Sequence, residues 1–249
     1  MSMEIREGET CDDLQNGLWI LQSKKGFRFG IDAVLLADFA GISPAECVLD
    51  LGCGSGILPL LLCARSKGKH ITGLELQTES AALAARNVSG NRLEDRVSII
   101  QGDLREAGSF FGAASFDAVV SNPPYMLPSQ GKVSPNPVLA AARHEICCTF
   151  ADVASAAACV LKKGGRFFLV HRAVREEEIL QTLKEHALAP LRLRRVQPFA
   201  EKPANLILVE AEKGGIAREM SVEDPLVVYE KPGVYTEEIL KIYRMTGEE

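Results

Sequence analysis

The sequence is poor in histidine, with four residues in 249, and its seven cysteines are an odd and scattered set. Cys11, Cys47, Cys53, Cys63, Cys147, Cys148 and Cys159 include no CxxC pair and have little histidine nearby. Zinc sites bring clustered pairs at short fixed spacing, so no metal is expected. The thiols read instead as reduced, mostly buried small hydrophobes of a cytosolic chain. Long hydrophobic runs are also missing. No apolar stretch reaches the roughly 18–20 residues that span a bilayer, and Met1 to Glu9 is polar and acidic rather than signal-like. The expectation is a soluble, cytoplasmic protein with no membrane attachment and no obligate protein partner. An excess of positive charge is lacking too. A net charge of −5 argues against a protein that coats nucleic acid non-specifically, because such binding comes mainly from phosphate neutralisation by Lys and Arg. One segment departs from that balance. Residues 162–202 carry ten Lys and Arg against five Glu, which reads either as a solvated helix and edge strand or as an RNA-facing surface.

What is present is an alternation. From Cys47 onward, short apolar runs alternate with helical patterns, which implies βαβ units, a parallel sheet and an α/β fold. The strand candidates are Cys47–Leu51, Ile71–Glu75, Val97–Gln101, Phe116–Ser121, Arg166–Val170, Leu191–Val196 and Leu206–Ala211. Helices are predicted over Ile57–Ser66, Ser80–Val88, Ala151–Leu161 and Glu176–His186, with Gly90 and the Lys162–Gly165 turn as C-terminal stops. The length suits one core domain with small appendages. The expected division is residues 1–45 as an N-terminal cap on the substrate side, 46–213 as the core, and 214–249 as an arm packed on it. Within the arm, Pro225–Tyr229 reads as extended, and Thr236 as the N-cap of a short helix over Thr236–Tyr243. Residues 126–142, with Pro128, Gly131, Pro135 and Pro137 and no periodicity, read as a long loop, and loops of that length are usually functional or disordered.

The run Val48-Leu49-Asp50-Leu51-Gly52-Cys53-Gly54-Ser55-Gly56 is an apolar strand ending in a glycine-rich turn that opens a helix, an arrangement that lets a ligand approach bare backbone. A dinucleotide fingerprint would need glycine at position 57, which is Ile57. The spacing Asp50-x-Gly52-x-Gly54-x-Gly56 instead resembles motif I of class I S-adenosylmethionine methyltransferases. That cofactor carries a sulfonium and an ammonium, which suit an acidic site. Glu75 closes the next strand, where its carboxylate can accept from both ribose hydroxyls, and Leu76 follows it; this position fits a dinucleotide equally well. The resemblance gives Asp103 the adenine amino group and Leu104 the ring, although Asp103 also reads as a plain turn residue.

Phe116–Ser121 then runs into Asn122-Pro123-Pro124-Tyr125. Two prolines fix φ and remove N–H donors, which leaves carbonyls free in a rigid turn. An amino group conjugated to a ring is a poor nucleophile, and fixed acceptors for its two protons favour the pyramidal, attacking form. The Asn122 side-chain oxygen and the Pro123 carbonyl can be those acceptors, with Tyr125 stacked on the planar group. The motif resembles the (D/N/S)-PP-(Y/F/W) motif IV of amino-methyltransferases.

Four passages extend the resemblance over the whole chain: Gly26 to Ala37, with Phe29 and Asp32; Asn122 to Tyr125; Ala142-Arg143-His144-Glu145; and Pro203-Ala204-Asn205 together with Pro225–Tyr229 and Tyr235–Glu238. On these the chain resembles the YfiC-like tRNA(Val) adenine N6-methyltransferases of the methyltransferase small domain superfamily. The resemblance implies a Rossmann-like class I methyltransferase fold, with a seven-stranded, mostly parallel sheet and helices on both faces. It also implies S-adenosylmethionine as cofactor and an anticodon-loop adenine of tRNA as substrate, a base that can be splayed out and stacked. Phe29 and Asp32 then help close over the cofactor, although Asp32 also reads as a helix cap. Arg143 becomes a phosphate contact, and His144 either a base or a structural imidazole. The alternatives are ribosomal RNA guanine N2 methylation, protein glutamine N5 methylation, and a catalytically silent RNA- or partner-binding protein of the same fold. The absence of a large target-recognition domain speaks against a DNA substrate.

Overall fold

The computed structural model describes residues 4–14, 17–24, 26, 28–66, 69–125, 148–215 and 219–244. The described chain opens with a hairpin, β1 (Glu9–Asp13) and β2 (Trp19–Ser23), and α1 (Ile31–Phe39). An alternating stretch follows: β3 (Cys47–Leu51), α2 (Ile57–Arg65), β4 (His70–Glu75), α3 (Thr78–Gly90), β5 (Val97–Gln101), α4 (Ala107–Phe111), β6 (Phe116–Ser121), α5 (Phe150–Val160), β7 (Leu161–Arg172) and α6 (Glu176–Glu185). The chain continues with β8 (Leu188–Gln197), β9 (Leu206–Lys213), β10 (Ser221–Val227), a small hairpin of β11 (Tyr229–Lys231) and β12 (Val234–Tyr235), and α7 (Glu237–Arg244).

The main sheet runs β10-β8-β9-β7-β6-β3-β4-β5. Only β9 opposes the rest, pairing antiparallel with both β7 and β8. The chain leaves β3 toward β4 and β5 and returns to β6 on the other side. The order therefore switches between β3 and β6, which is where ligands bind in open α/β sheets. The strands read as continuous apolar runs because both faces are covered. Val48, Val120, Phe168 and Leu208 face α1, α2 and α7, whereas Leu49, Val119, Phe167 and Val209 face α5 and α6.

The hydropathy pattern predicts seven strands, and the sheet has eight among the described residues. The extra one, β10, lies in the segment expected as an arm and pairs parallel with β8 at the sheet edge. Its sequence Ser-Val-Glu-Asp-Pro-Leu-Val buries only Leu226 fully, so hydropathy does not mark it. Pro225 falls where the register slips, between Glu223 and Leu226, as expected for a proline confined to edges and bulges. Lys162–Gly165 also departs from expectation. It ends α5 but continues as an irregular start to β7, where Phe116 faces Leu161 and Ala118 already faces Arg166. Thr236 does cap α7, accepting from Ile239 N at 3.4 Å.

The N-terminal hairpin is held by two asparagines one turn apart, Asn87 within α3 and Asn91 at its C-cap. Asn87 accepts from Leu21 N at 2.7 Å and donates to Leu21 O at 3.0 Å, and Asn91 accepts from Trp19 N at 2.9 Å and donates to Trp19 O at 2.7 Å. Each primary amide imitates a peptide unit of a neighbouring strand. Asn87 also donates to Ser55 O at 2.9 Å, so it ties the hairpin to the glycine turn.

The six described cysteines are free, but only Cys53 and Cys63 are buried; Cys159 is exposed. Fewer therefore lie inside than composition predicts, because Cys11 sits in the two-stranded N-terminal ribbon, Cys47 at the start of β3 and Cys148 just before α5, each only partly covered. Among the described residues, no helix is long and apolar enough to cross a bilayer, and no group of three His, Cys, Asp or Glu could hold a metal.

Candidate active site

At the tip of β3 the chain must turn sharply into α2, and the three glycines make that turn. Gly52, Gly54 and Gly56 have φ of 79°, 55° and 86°, in the left-handed region that only glycine enters without cost. Gly56 has a second reason to be glycine, since a Cβ there would lie 3.2 Å from Ala84 Cβ on α3. Gly52 N and Cys53 N both donate to Leu74 O, at 2.9 and 3.1 Å, which fastens the turn to β4.

Two carboxylates stand under this turn. Glu75 accepts from Gly54 N at 2.9 Å through Oε2 and from Gln77 N at 2.8 Å through Oε1. Burial raises its pKa, and the backbone hydrogen bonds oppose that rise. Asp50 is 0 % exposed, and neither carboxylate oxygen has a hydrogen-bond partner among the described protein groups. Desolvation pushes its pKa well above the usual aspartate range, and the Glu75 charge pushes it further. Two buried carboxylates, one of them orphaned, suit a ligand that brings positive charge to the Gly52–Gly56 turn.

Asp50→Asn is therefore expected to stabilise the ligand-free protein at pH 8, by on the order of 2 kcal/mol. The folded state holds the Asp50 proton more tightly than the unfolded chain does. The penalty thus grows as pH rises above the ordinary aspartate value, and the gain should vanish below about pH 4. Thermal melts at pH 8, 6 and 4 check this, and a variant less stable at every pH would refute it.

Beyond β5, the Asp103 carboxylate accepts from Arg105 N at 2.9 Å and so caps the short turn Leu104–Glu106. It also pairs with the Arg105 guanidinium, which lowers its pKa. Asp103 thus performs the turn role that its sequence position also allowed. Leu76 and Phe110, 41 % and 44 % exposed, are large apolar side chains left bare near this turn. A Cβ on Gly102 would fall 2.5 Å from Phe110 Cζ, so the ring lies directly on the Gly102 backbone. Phe110 is absent from the sequence candidates; the aromatic pair Phe110-Phe111 after Asp103 was the available signal. Phe29, on the approach to α1, is held by the buried side chain of Gln22, whose Oε1 accepts from Phe29 N at 3.1 Å.

The Asn122–Tyr125 turn stands beside the glycine turn. Asp50 pairs with Val120 in the β3–β6 register, and Ser121 Oγ donates to Leu51 O at 2.8 Å. Asn122 and Gly52 are thus the first residues beyond joined strand ends, on strands about 5 Å apart. Tyr125 is held at three points. Its hydroxyl donates to Asp32 Oδ2 at 2.8 Å and also contacts Asn122 Oδ1, its ring packs edge-on against His171 with centroids 5.3 Å apart, and its carbonyl accepts from Arg175 Nη1 at 3.4 Å. Asp32 does not cap α1. Gly30 occupies the N-cap position and Asp32 is the second helical residue, because its carboxylate is drawn to Tyr125.

His171 and Arg175 were not sequence candidates, since nothing near them marks the turn after β7. His171 is 0 % exposed; its Nδ1 accepts from Arg172 N at 2.9 Å, which places the ring proton on Nε2. Burial, with the neighbouring Arg175 charge, lowers its pKa to about 3, so the ring is neutral. Arg175 is itself buried and paired with Glu178 at 2.5 Å.

The basic segment is largely neutralised within the fold. Arg166 pairs with Glu46 at 2.8 Å, Arg192 with Glu210 at 2.8 Å, Arg194 with Glu238 at 2.6 Å, Arg195 with Glu176 at 2.5 Å and Lys162 with Asp117 at 2.6 Å. Arg192 also lies 3.8 Å over the Phe39 ring. These partners come from five different parts of the fold, and neighbouring Arg194 and Arg195 pair with different helices, so the segment is not a continuous basic surface. Arg143 and His144 lie outside the described residues.

Residues 31–189 match the methyltransferase small domain family. Two curated relatives are each a tRNA1(Val) (adenine(37)-N6)-methyltransferase. One, from a Flavobacteriaceae bacterium, is 31 % identical over 89 % of this chain and 92 % of its own length. The other, from Porphyromonas gingivalis, is 28 % identical over 89 % of both. Among solved structures, a predicted O-methyltransferase from Agrobacterium tumefaciens superposes with a TM-score of 0.70 at 22 % identity, covering 88 % of this chain and 98 % of its own, which shows a shared fold.

Proposed function

This chain belongs to the methyltransferase small domain family, and we propose that it is an S-adenosylmethionine-dependent enzyme that methylates N6 of an adenine in tRNA, the anticodon-loop adenine of tRNA(Val). The observation that carries this is the joining of two strand tips, with the glycine turn of β3 and the Asn122–Tyr125 turn of β6 held together by the Ser121–Leu51 hydrogen bond. When bound, S-adenosylmethionine supplies a methyl group made electrophilic by its sulfonium. Gly52, Gly54 and Gly56 admit its methionine part against bare backbone, with Asp50 beneath as a counter-charge and Phe29 on the α1 side. Glu75 takes the ribose, and Leu76, Asp103 and Leu104 take the adenine.

The acceptor base lies at Asn122-Pro123-Pro124-Tyr125. The Asn122 side-chain oxygen and the Pro123 carbonyl accept the two N6 hydrogens, and the Tyr125 ring supports the base plane by stacking, worth about 1–3 kcal/mol. Held by these two acceptors, N6 would present its lone pair toward the glycine-turn side of the crevice, where the bound cofactor would offer its methyl group, and the surplus proton would leave nitrogen to solvent. Orientation of bound reactants supplies much of the rate, so a strong base at the first step is unnecessary. Arg143 is assigned to a phosphate of the RNA.

Incubation of total small RNA with methyl-labelled cofactor, followed by nucleoside analysis, tests this. Label in N6-methyladenosine from tRNA supports it. Label in guanosine, or only in protein, would replace it with the guanine N2 or glutamine N5 alternative.

A further inference from the structure

Asp32 stands on α1, far in sequence from the Asn122–Tyr125 turn, yet its side chain ends inside it. The residue is 9 % exposed; Oδ1 accepts from Ala33 N at 3.0 Å and Oδ2 from the Tyr125 hydroxyl at 2.8 Å. The same phenolic oxygen contacts Asn122 Oδ1 in the recorded orientation of the amide, and a half-turn of that amide brings Nδ2 to the same place. A hydroxyl has one proton, so it cannot donate to a carboxylate and to an amide oxygen at once. A carboxylate only accepts. If the proton goes to Asp32, none is left for Asn122 Oδ1, and the two facing oxygens repel until a half-turn of the amide brings Nδ2 to the phenol as donor. If Asp32 did not take the proton, the phenol could donate to Asn122 Oδ1 and occupy the acceptor on which chemistry at a nitrogen depends.

We infer that Asp32 is a positioning residue for methyl transfer, which takes the Tyr125 hydroxyl proton and thereby turns the Asn122 side-chain oxygen away from the phenol and toward the acceptor nitrogen. This rests on the methyl-transfer function, and it gives Asp32 a task distinct from closing over the cofactor. His171 and Arg175 support the arrangement by fixing the Tyr125 ring and carbonyl, so that the hydroxyl meets both partners without a search. The charge on Asp32 makes it the better acceptor of the two, since hydrogen bonds to ionised groups are about twice as strong as neutral ones.

The test is a double-mutant cycle of Asp32→Ala and Tyr125→Phe, read as kcat, KM for tRNA and affinity for S-adenosylhomocysteine, with Asp32→Asn as the conservative variant. Asp32→Ala should lower kcat about tenfold, the worth of one charge-assisted hydrogen bond, with product-cofactor affinity within about twofold. Asp32→Asn, which keeps an acceptor, should recover part of the loss. In the Tyr125→Phe background Asp32→Ala should add less than about twofold, because the proton it competes for is gone. The 15N resonance of the Asn122 side-chain amide should shift in Asp32→Ala and in Tyr125→Phe alike. Additive losses, or cofactor affinity falling in step with kcat, would overturn the inference. A wild-type protein that transfers no methyl group would defeat the assigned function instead, while the amide resonance still reports whether Asp32 governs Asn122.

Discussion

Asn122→Ala should lower methyl transfer by two to three orders of magnitude and leave S-adenosylmethionine affinity within a few-fold of wild type. Asn122 lies one residue beyond the Ser121–Leu51 link, on the β6 side of the crevice, whereas the backbone and carboxylates assigned to the cofactor belong to β3, β4 and β5. Its side-chain oxygen meets a group whose hydrogens become more acidic as the nitrogen attacks, so the interaction strengthens toward the transition state and appears in kcat. Removing one preorganised donor from an oxyanion site costs about a hundred- to a thousandfold, and removing one of two fixed acceptors for a developing positive nitrogen belongs to the same class of effect. The fold should tolerate the change, because Asn122 is only partly buried and its contact is with Tyr125. Binding of the cofactor by calorimetry and single-turnover transfer to tRNA separate the two quantities. Equal losses in both would mean that Asn122 belongs to the cofactor site, and the assignment would fail.

The second large effect is on stability in acid. The His171 pKa is about 3 in the folded protein and about 6.5 in an unfolded chain, so between these values the unfolded state binds the additional proton. The neutral ring's contribution is complete above pH 6.5 and is lost as pH falls toward 3. At 1.4 kcal/mol per unit, the loss reaches roughly 3 kcal/mol by pH 4. Asp50 and Glu75, whose pKa values are raised, act in the opposite sense, so the whole-protein curve does not isolate the histidine. His171→Phe does so, because it keeps a ring against Tyr125 and Phe150 and removes the titrating nitrogen. Its stability relative to wild type, from urea unfolding at pH 8, 6 and 4, should improve by about 3 kcal/mol across the series, whatever constant offset the larger ring brings. A difference independent of pH would show that the imidazole is not held neutral by burial.

The parts of the fold legible in the sequence were those that local pattern controls. β3, β5 and β6 fall at their predicted residues because each is a short apolar run covered on both faces and ended by glycine, Gln-Gly-Asp or Asn-Pro-Pro. Asp50, Gly52, Gly54, Gly56 and Glu75 gather under one turn, since βαβ topology brings successive parallel strand ends to the same edge. What was illegible depends on partners distant in the chain. β10 is a strand because β8 offers it an edge, although its side chains are mostly exposed. Arg192, Arg194 and Arg195 look like a basic patch until Glu210, Glu223, Glu238 and Glu176 arrive from other elements. The association of Asp32 with Tyr125 spans 93 positions and has no local sign. Asn87 resembles any polar residue on an exposed helix, yet it is 0 % exposed and serves three backbone groups.

That asparagine makes the β1–β2 ribbon and the Gly52–Gly56 turn share one anchor. Opening of either frees an amide on which the other depends, so the two should unfold locally as a single cooperative unit. A ligand that stiffens the glycine turn must then slow hydrogen exchange at Leu21, on a hairpin reached from that turn through the Asn87 side chain.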